Sequence, residues 1–195
     1  MKEKVVMVET GEINIKSDSD SGRRLFLACW PDQSLQELLY DLARRLQLKH
    51  GGRRTERENI HLTLVFLGQV HQQKEQQLRK RLRLLDIKQF DLELDQAGSF
   101  THCRINWVGP SIVPQGLKEL HSVLKRISRE LGFHSEQRSY RPHVSLLRDS
   151  HSETGHAMKP VQWKVNRYCL IESGQKRGGV EYKVIEEFPL ADENS

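Results

Sequence analysis

Hydrophobic residues along the chain recur at every second position, as in a strand, or at every third to fourth position, as in a helix. Strands are predicted where short apolar runs end at glycine, proline or aspartate. These strands cover residues 25–30, 60–67, 90–94, 104–108, 143–147, 168–172 and 180–186. Leucines at helical spacing predict a first helix from Ser34 through Leu46 that is broken at Gly51 and Gly52, and two more over residues 72–85 and 116–131. Ser34 and Glu37 have the spacing of a capping box and are expected to start the first helix.

The order of these elements repeats once along the chain. A strand, a helix and a strand that opens with histidine occur before residue 70 and again before residue 150. We therefore predict an α+β fold of two related lobes around a shared cleft, over residues 23–195. Residues 1–22 end in a run of serine and aspartate with almost nothing apolar to bury, so they are expected to form a flexible tail.

The composition is that of a soluble globular protein, with 36% hydrophobic and 29% charged residues. The longest apolar run, residues 62–67, is far shorter than the ~20 residues of a membrane helix. The amino terminus lacks the pattern of a secretory signal. Cys29, Cys103 and Cys169 are widely spaced and odd in number, which argues against a disulfide framework and against a zinc site. We expect a reduced, cytoplasmic protein.

Positive charge is unevenly distributed along the chain, whose formal net charge is +5. Two stretches are rich in cations: Arg44, Arg45, Lys49, Arg53, Arg54 and Arg57, and then Arg79, Lys80, Arg81 and Arg83. Such clusters suit a polyanion, because each phosphate contact releases condensed counterions. They are also typical of solvated helix faces and loops. Charge alone leaves both interpretations open.

Two hexapeptides carry the strongest chemical signal, residues 59–64 (Asn-Ile-His-Leu-Thr-Leu) and residues 141–146 (Arg-Pro-His-Val-Ser-Leu). Both read histidine, apolar, hydroxyl, apolar on a predicted strand. Because side chains alternate along a strand, His61 and Thr63 point to one face and the leucines to the other. The second motif places its histidine and serine together in the same way. Each motif presents one imidazole and one hydroxyl, about 7 Å apart along the backbone, to a common surface.

Two such surfaces facing one cleft meet the needs of phosphodiester cleavage by acid–base catalysis. A neutral imidazole takes a proton from the attacking oxygen, and an imidazolium gives a proton to the leaving oxygen. The hydroxyls of Thr63 and Ser145 can hydrogen-bond the phosphate oxygens. One such motif is a weak signal, but two at corresponding points of a repeat make His61 and His143 the candidate catalytic pair. No metal is expected, because only hydroxyls neighbour the histidines.

The twin motifs resemble the two signature tetrapeptides of the 2H phosphoesterase superfamily. The surrounding sequence resembles its RNA 2′,3′-cyclic phosphodiesterases, also called 2′-5′ RNA ligases, over roughly residues 24–190. The matching segments are residues 24–28 (Arg-Leu-Phe-Leu-Ala), 59–68, 95–100, 107–109 and 142–149. The chain departs from the family pattern at Ser145, where serine replaces threonine and keeps the hydroxyl, and in the residues before Gly22.

This resemblance implies two lobes, each an antiparallel sheet with packed helices, around a central catalytic cleft. It also implies hydrolysis of a terminal 2′,3′-cyclic phosphate on RNA to a 2′-phosphate, with weak 2′-5′ ligation as the reverse reaction. His61 would protonate the leaving 3′ oxygen, and His143 would activate the water. Thr63 and Ser145 would hold the phosphate oxygens. The two motifs are too alike for the sequence itself to distinguish proton donor from acceptor.

Arg148 and Phe26 are candidate nucleotide-binding residues under the same resemblance. Arg148 lies five residues after His143, so strand alternation turns it away from that histidine unless the strand ends or twists first. An ion pair with Asp149 is the alternative role for Arg148. Phe26 can stack on a base or belong to the core. The other histidines are expected to be surface or structural residues: His50, His71, His102, His121, His134, His151 and His156.

The expected protein is a monomer that needs no cofactor or metal, does not bind membranes and acts on RNA ending in a 2′,3′-cyclic phosphate. Two alternatives stay open. One is a 2H phosphoesterase acting on a small cyclic nucleotide or another RNA 3′ end. The other is a non-catalytic RNA-binding module, against which the two titratable groups argue, because a module that only binds has no need for them.

Overall fold

The computed structural model describes residues 22–133, 139–151, 155–177 and 179–192. Nine strands and three helices lie in this part of the chain. In order they are β1 (Arg23–Cys29), α1 (Gln33–His50), β2 (Arg53–Arg54), β3 (Leu62–Val70), α2 (Gln72–Leu82), β4 (Phe90–Phe100), β5 (Ile105–Gly109), α3 (Gln115–Glu130), β6 (Val144–Arg148), β7 (His156–Val165), β8 (Arg167–Lys176) and β9 (Gly179–Pro189). The predicted tail, residues 1–22, lies outside the described residues apart from Gly22.

The strands form one sheet in the order β7-β4-β5-β6-β3-β1-β8-β9, with β2 paired to β6. Neighbouring strands of the sheet are antiparallel throughout. A single residue pair, Leu62 with Val144, joins β3 to β6. The sheet thus has a first half (β3-β1-β8-β9) and a second half (β6-β5-β4-β7). The predicted pair of antiparallel lobes is confirmed, with the difference that the lobes share one sheet.

One large core holds the two halves together. All three helices contribute buried side chains to it, and so do strands of both halves. Leu117, Leu120 and Leu124 of α3 are fully buried, as their helical spacing predicts. Burying a side chain of this size stabilises a fold by about 1.5–3 kcal/mol. Because both halves enter the same core, their relative position is fixed by packing as well as by the pair that joins β3 to β6.

The opposite face of the first half carries a small separate cluster. Phe26, Ala28, Cys169 and Ile171 are its buried residues, with the partly buried Trp30, Tyr182 and Val184 packed around them. None of the buried residues of α1, α2 or α3 belongs to this cluster. We call this surface of the first half the open face, because the three helices pack on the other side of the sheet.

Two of the predicted helix ends are wrong. The side chain of Asp32 accepts a hydrogen bond of 2.8 Å from the backbone N–H of Leu35, so α1 begins one residue before Ser34. Aspartate is as good an N-cap as serine, and it comes first in the chain. Helix α2 ends at Leu82, three residues early, because the chain tightens into i→i+3 hydrogen bonds there. The end of α3 is as predicted, with Gly132 at a φ of 73° just after the helix.

All seven predicted strands are present, and β8 and β9 form the predicted hairpin. Strands β2 and β7 are missing from the prediction. Strand β7 pairs with β4 at the edge of the sheet, and its alternating Val161, Trp163 and Val165 pack on the large core, a two-residue period that the prediction missed. Pro160 within it is compatible with an edge strand, where a ladder hydrogen bond is not needed on both sides.

The three cysteines are free thiols, two of them buried (Cys29 and Cys169) and one exposed (Cys103). Within the described ranges, no helix combines the length and the apolar character needed to cross a membrane.

Candidate active site

The two histidine motifs meet where the halves of the sheet join. Strand β3 begins at Leu62 and β6 begins at Val144, and these two residues form the antiparallel pair between the halves. Both side chains point into the large core. Their neighbours along each strand point to the other face. The four predicted motif residues, His61, Thr63, His143 and Ser145, therefore come together on the face away from the core.

The imidazole of His61 is held by its own strand. Its Nδ1 lies 2.7 Å from the carbonyl oxygen of Asn59, and its Nε2 lies 3.0 Å from Oγ1 of Thr63. A carbonyl oxygen only accepts, so Nδ1 carries a proton and donates it. In the neutral ring, Nε2 then accepts from the Thr63 hydroxyl. Nε2 is consequently the nitrogen that can exchange a proton with a substrate.

His143 is held in the same way. Its Nδ1 lies 2.8 Å from the carbonyl oxygen of Arg141, again two residues earlier in the chain. Nδ1 donates, which leaves Nε2 as the proton-exchanging nitrogen. The repeat seen in the sequence is thus a repeat of geometry, with one oriented imidazole from each half of the sheet.

Two hydroxyl groups tie the motifs to neighbouring segments. Tyr140, which precedes the second motif, donates its hydroxyl to the carbonyl oxygen of Thr63 in the first motif at 3.1 Å. Oγ1 of Thr55 donates to the carbonyl oxygen of Ser145 at 2.8 Å. The ring of His121 stacks on Tyr140 with 3.7 Å between ring centres. These contacts fix the two motifs relative to each other across the junction of the halves.

Aromatic rings surround the imidazole of His61. Trp30 stacks on it with 5.4 Å between ring centres, and Tyr182 meets it edge-on at 5.1 Å. Phe26 lies 5.1 Å away and is only 2% exposed. The structure therefore brings Phe26 to the site but packs it against His61, in the cluster of the open face, with almost no surface left for a base.

A second aromatic group stands beside His143. Phe100 meets its ring edge-on at 4.8 Å, and Trp107 lies 6.4 Å away. The guanidinium of Arg141 lies over Trp107 at 4.7 Å and over Phe100 at 5.4 Å. The side chain of Arg141 thus covers these rings while its carbonyl oxygen orients the histidine.

A β-bulge places Arg148 on the same face as His143. Ser145 pairs with Trp107, but the next residue of β5, Asn106, pairs with Leu147, so one residue of β6 is unpaired. The extra residue reverses the alternation, which turns the exposed Arg148 toward the histidines. Its charge lowers the pKa of both imidazoles. The neighbouring Asp149 pairs with Arg53 at 3.9 Å.

The site keeps both imidazoles neutral in the absence of substrate. Burial is the largest cause, and it lowers the pKa of His61 to about 4, helped by the charges of Arg148 and His143 and opposed by the hydrogen bond to Asn59. Burial also lowers the pKa of His143, helped by Arg141 and Arg148 and opposed by its hydrogen bond to the Arg141 carbonyl. An anion bound beside Arg148 would act in the opposite sense and raise both pKa values.

Several residues around the site have no counterpart in the sequence prediction. Trp30, Tyr182 and Tyr140 contact the motifs, yet none lies in a motif. The two-residue period of β1 is the signal that would have found Trp30, which shares the face of Phe26 and Ala28. Nothing in the pattern around Tyr140 indicates its reach to Thr63. Of the other histidines, His121 contacts the site through Tyr140, and His134 lies outside the described residues.

Metal ligands do not cluster in the part of the chain that the structure describes. There, no three histidine, cysteine, aspartate or glutamate side chains come close enough to share a metal ion.

The model of the 2′-5′ RNA ligase superfamily matches residues 30–177, which is well over half of the chain. The chain belongs to the 2′-5′ RNA ligase superfamily. Relatives with curated names are also similar to this chain in sequence. The RNA 2′,3′-cyclic phosphodiesterase of Escherichia coli K12 is 31% identical over 141 residues, which are 71% of this chain and 80% of that protein. The enzyme of the same name from Aquifex aeolicus is 25% identical over 182 residues, 86% of this chain and 97% of that one.

Solved structures of this superfamily share the fold. The E. coli LigT structure in its apo form superposes with a TM-score of 0.77 at 29% identity, covering 87% of this chain and 98% of that one. The complex of E. coli LigT with 3′-AMP gives a TM-score of 0.76 at 29% identity, with the same coverage. The predicted family, the predicted fold class and the prediction of a phosphodiesterase enzyme are confirmed.

Proposed function

We propose that this member of the 2′-5′ RNA ligase superfamily hydrolyses a terminal 2′,3′-cyclic phosphate on RNA to a 2′-phosphate. The observation that carries the proposal is the pair of oriented imidazoles, each with Nδ1 on a main-chain carbonyl and Nε2 available for proton transfer. Two hydroxyl side chains and one arginine accompany them on the same face. The names of the E. coli and A. aeolicus relatives support a cyclic phosphate on RNA as the substrate.

In the proposed mechanism, Nε2 of His143 takes a proton from a water molecule as the water oxygen attacks phosphorus. The bond between phosphorus and the 3′ oxygen breaks, and Nε2 of His61 gives a proton to that oxygen. The products are a 2′-phosphate and a 3′-hydroxyl group. Thr63 and Ser145 donate hydrogen bonds to the non-bridging oxygens, and Arg148 offsets their negative charge.

Substrate binding allows the donor, His61, to take up a proton from the solvent. His61 is neutral in the ligand-free protein, because its pKa is about 4. The bound phosphate is an anion beside Arg148, so its attraction for an imidazolium opposes the effects of burial and of the Arg148 charge and raises the pKa. The surrounding rings of Trp30 and Tyr182 add attraction for an imidazolium. His61 thus becomes a proton donor only when there is a phosphate to act on.

The decisive experiment incubates the protein with an RNA that ends in a 2′,3′-cyclic phosphate and identifies the product end. The reaction is run with EDTA, since two imidazoles supply both proton transfers and a divalent ion has no assigned role. We expect a 2′-phosphate, resistant to an enzyme that removes only 3′-phosphates. Mainly 3′-phosphate ends would contradict the assignment of the leaving group. Binding without turnover would favour an RNA-binding module instead.

Ligation is also part of the proposal, as opening of the same cyclic phosphate by an alcohol. A 5′-hydroxyl group in place of water would attack the cyclic phosphate, lose its proton to His143 and form a 2′-5′ linkage, while the 3′ oxygen takes a proton from His61. The description of the superfamily supports this activity. The test is incubation of a cyclic-phosphate RNA with a 5′-hydroxyl RNA, followed by a search for a joined product with a 2′-5′ bond.

A further inference from the structure

Phe66 is an aromatic residue that the proposed mechanism does not use. Its side chain is 52% exposed, although β3 is an inner strand with β1 on one side and β6 on the other. The other residues of β3 from Leu62 to Leu67 are buried, apart from the half-buried Thr63. A phenylalanine exposed to this degree in the middle of a sheet leaves one ring surface available for a ligand.

A β-bulge puts Phe66 on the open face together with the catalytic residues. Ala28 of β1 pairs with Thr63, but the next residue, Leu27, pairs with Val65, so one residue of β3 is unpaired. Thr63 and Phe66 are three residues apart and would otherwise point to opposite faces. With the bulge they share a face, and Phe66 pairs directly with Phe26.

The rings form a row that leads away from the catalytic centre. The ring of Phe26 lies 5.1 Å from His61, and the ring of Phe66 lies 6.0 Å from Phe26. Tyr182 flanks Phe26 at 5.0 Å. Because Phe26 is buried and Phe66 is half exposed, the part of the row that can receive a base is its outer end at Phe66.

A positive charge lies farther along the same face. The side chains of β1 alternate between the large core and the open face, and Arg24 lies two residues before Phe26, on the side of the open face. Arg24 is exposed. A cation on the same face as an exposed aromatic ring suits single-stranded nucleic acid, since the ring stacks on a base and the cation attracts the backbone.

We propose that the open face binds the nucleotides on the 5′ side of the cyclic phosphate, with Phe66 stacking on a base and Arg24 near a backbone phosphate. This inference rests on the proposed function, because that function fixes the direction of the RNA. His61 protonates the 3′ oxygen of the terminal ribose, so this ribose lies on the His61 side of the phosphorus, opposite the water at His143. The RNA then continues from the 5′ oxygen across the first half of the sheet.

The test compares a nucleoside 2′,3′-cyclic phosphate with a trinucleotide that ends in the same group. A stacked base contributes about 1–3 kcal/mol, which is about 5- to 150-fold in affinity. Phe66→Ala should therefore raise KM for the trinucleotide by this factor relative to KM for the cyclic mononucleotide. Phe66→Leu keeps an apolar contact with Phe26 but has no ring, so it should show the same selective loss, whereas Phe66→Trp should not. Ile112→Ala is the control, because Ile112 is 83% exposed and lies outside β3.

A trinucleotide with abasic sites upstream of its terminal nucleotide identifies the contact. With this substrate Phe66→Ala should have almost no effect, because the base that the ring contacts is absent. Equal losses on the mononucleotide and the trinucleotide, or an unchanged preference for the trinucleotide, would overturn the proposal. So would a change of oligomeric state in Phe66→Ala by sedimentation, which would make the open face a contact between copies of this chain. The affinity for a trinucleotide without the cyclic phosphate, which cannot be hydrolysed, is measured in parallel. A failure of turnover and a failure of the stacking site then give different results.

Discussion

His61 and His143 have different surroundings, although the Nδ1 of each donates to a main-chain carbonyl two residues earlier in the chain. Three aromatic rings enclose His61, and its pKa of about 4 is mainly a result of burial. The side chain of Arg141 stands beside His143 and adds a repelling charge to that of Arg148. At the residue scale, the ligand-free site therefore holds two neutral imidazoles, and in the proposed mechanism the pair becomes an acid and a base only around an anion.

The pH dependence of the rate follows from this. The profile of kcat/KM reports the free protein, and that of kcat reports the complex. In the free protein the pKa values of both imidazoles lie below the usual 6.5. The active form, in which the two histidines together hold one proton, is therefore lost as pH rises through these lowered values. Bound phosphate raises both pKa values. We expect two bell-shaped profiles with the optimum of kcat at higher pH than that of kcat/KM.

Full pH profiles on a cyclic-phosphate substrate check this expectation, and the apparent values belong to the pair of histidines rather than to either one. Coinciding optima would mean that the bound phosphate does not change the protonation of the pair. An optimum of kcat/KM above that of kcat would contradict the proposed charging of His61.

Removal of each imidazole tests the assignment of the pair. General acid–base assistance is worth about 10²–10⁴-fold per group. His61→Ala and His143→Ala should each reduce kcat by this order while the circular dichroism spectrum and Tm stay near those of the wild type, because both rings lie away from the large core. The double variant should lose much less than the product of the two losses, since the groups act in one proton-transfer scheme. Near-normal turnover of His143→Ala would make the second motif structural.

Two β-bulges determine which side chains reach the site. One in β6 turns Arg148 to the face of His143, and one in β3 turns Phe66 to the face of Thr63. In both strands, simple alternation assigns the later residue to the wrong side. At the scale of the element, the site is thus larger than the two motifs, because each strand changes its alternation just after its motif.

The bulge in β6 leads to a prediction about Arg148. Arg148→Gln removes a charge that lowers both histidine pKa values, so these values should rise, and kcat should fall by about 10²-fold with the loss of one donor to the developing charge. Arg53→Gln is the matched control. Arg53 is the strand neighbour of Arg148 across β2 and β6, but its charge forms an ion pair with Asp149. Titration of the histidine ring protons by NMR measures the pKa values. Unchanged titration in Arg148→Gln would place its charge away from the imidazoles.

The basic stretches illustrate what charge in a sequence leaves undecided. Arg79 and Arg83 of the second stretch both pair with Glu186, and Arg81 pairs with Glu130. Positive charge on α2 is therefore offset by carboxylates, on an element that packs into the large core. In the first stretch, Arg44, Arg53 and Arg57 also pair with carboxylates, whereas Arg54 lies over the ring of Tyr40.

The sequence predicts the elements and the four motif residues because both depend on local periodicity. His61 and Thr63, for example, share a face through alternation over three residues. The position of Arg148 depends on an unpaired residue of β6, which is visible only in the register with β5. The reach of Tyr140 to Thr63 depends on how the two halves pack. The local sequence pattern contains neither the strand register nor the packing of the halves. The positions of Arg148 and Tyr140 could therefore be determined only from the structure.

At the scale of the whole molecule, Leu62 and Val144 form the only residue pair between described strands of the two halves, and an isolated parallel bridge between Lys88 and Ala191 adds a second main-chain contact. The common core and the Tyr140 hydrogen bond supplement them. Catalytic geometry is thus a property of how the halves meet, and substitutions far from the cleft that loosen the common core should affect activity before they unfold either half.

The limits of the folded unit give a prediction at this scale. Strand β1 begins at Arg23, which forms ion pairs with Glu75 of α2 and Glu172 of β8. We propose that residues 23–195 are a monomeric unit sufficient for folding and activity. A protein that begins at residue 22 should keep its Tm within a few degrees and its kcat on a cyclic mononucleotide within about twofold. A protein that begins at residue 25 should have a lower Tm, because it lacks Arg23 and therefore the network of ion pairs with Glu75 and Glu172. Loss of activity in the longer variant would assign a function to residues 1–21.

The acceptors of the two Nδ1 protons are main-chain carbonyls, and this has a consequence for how the site responds to mutation. Replacing Asn59 or Arg141 by any other residue leaves the carbonyl oxygen in place. Alanine substitutions at these two positions would therefore leave in place the hydrogen bond that orients each imidazole. An ester in place of the following amide, with its weaker carbonyl acceptor, would weaken that hydrogen bond and reveal its contribution. Both positions can therefore carry other side chains and still orient the imidazole. At position 141 the side chain has a separate contact, since the guanidinium of Arg141 lies over the ring of Trp107.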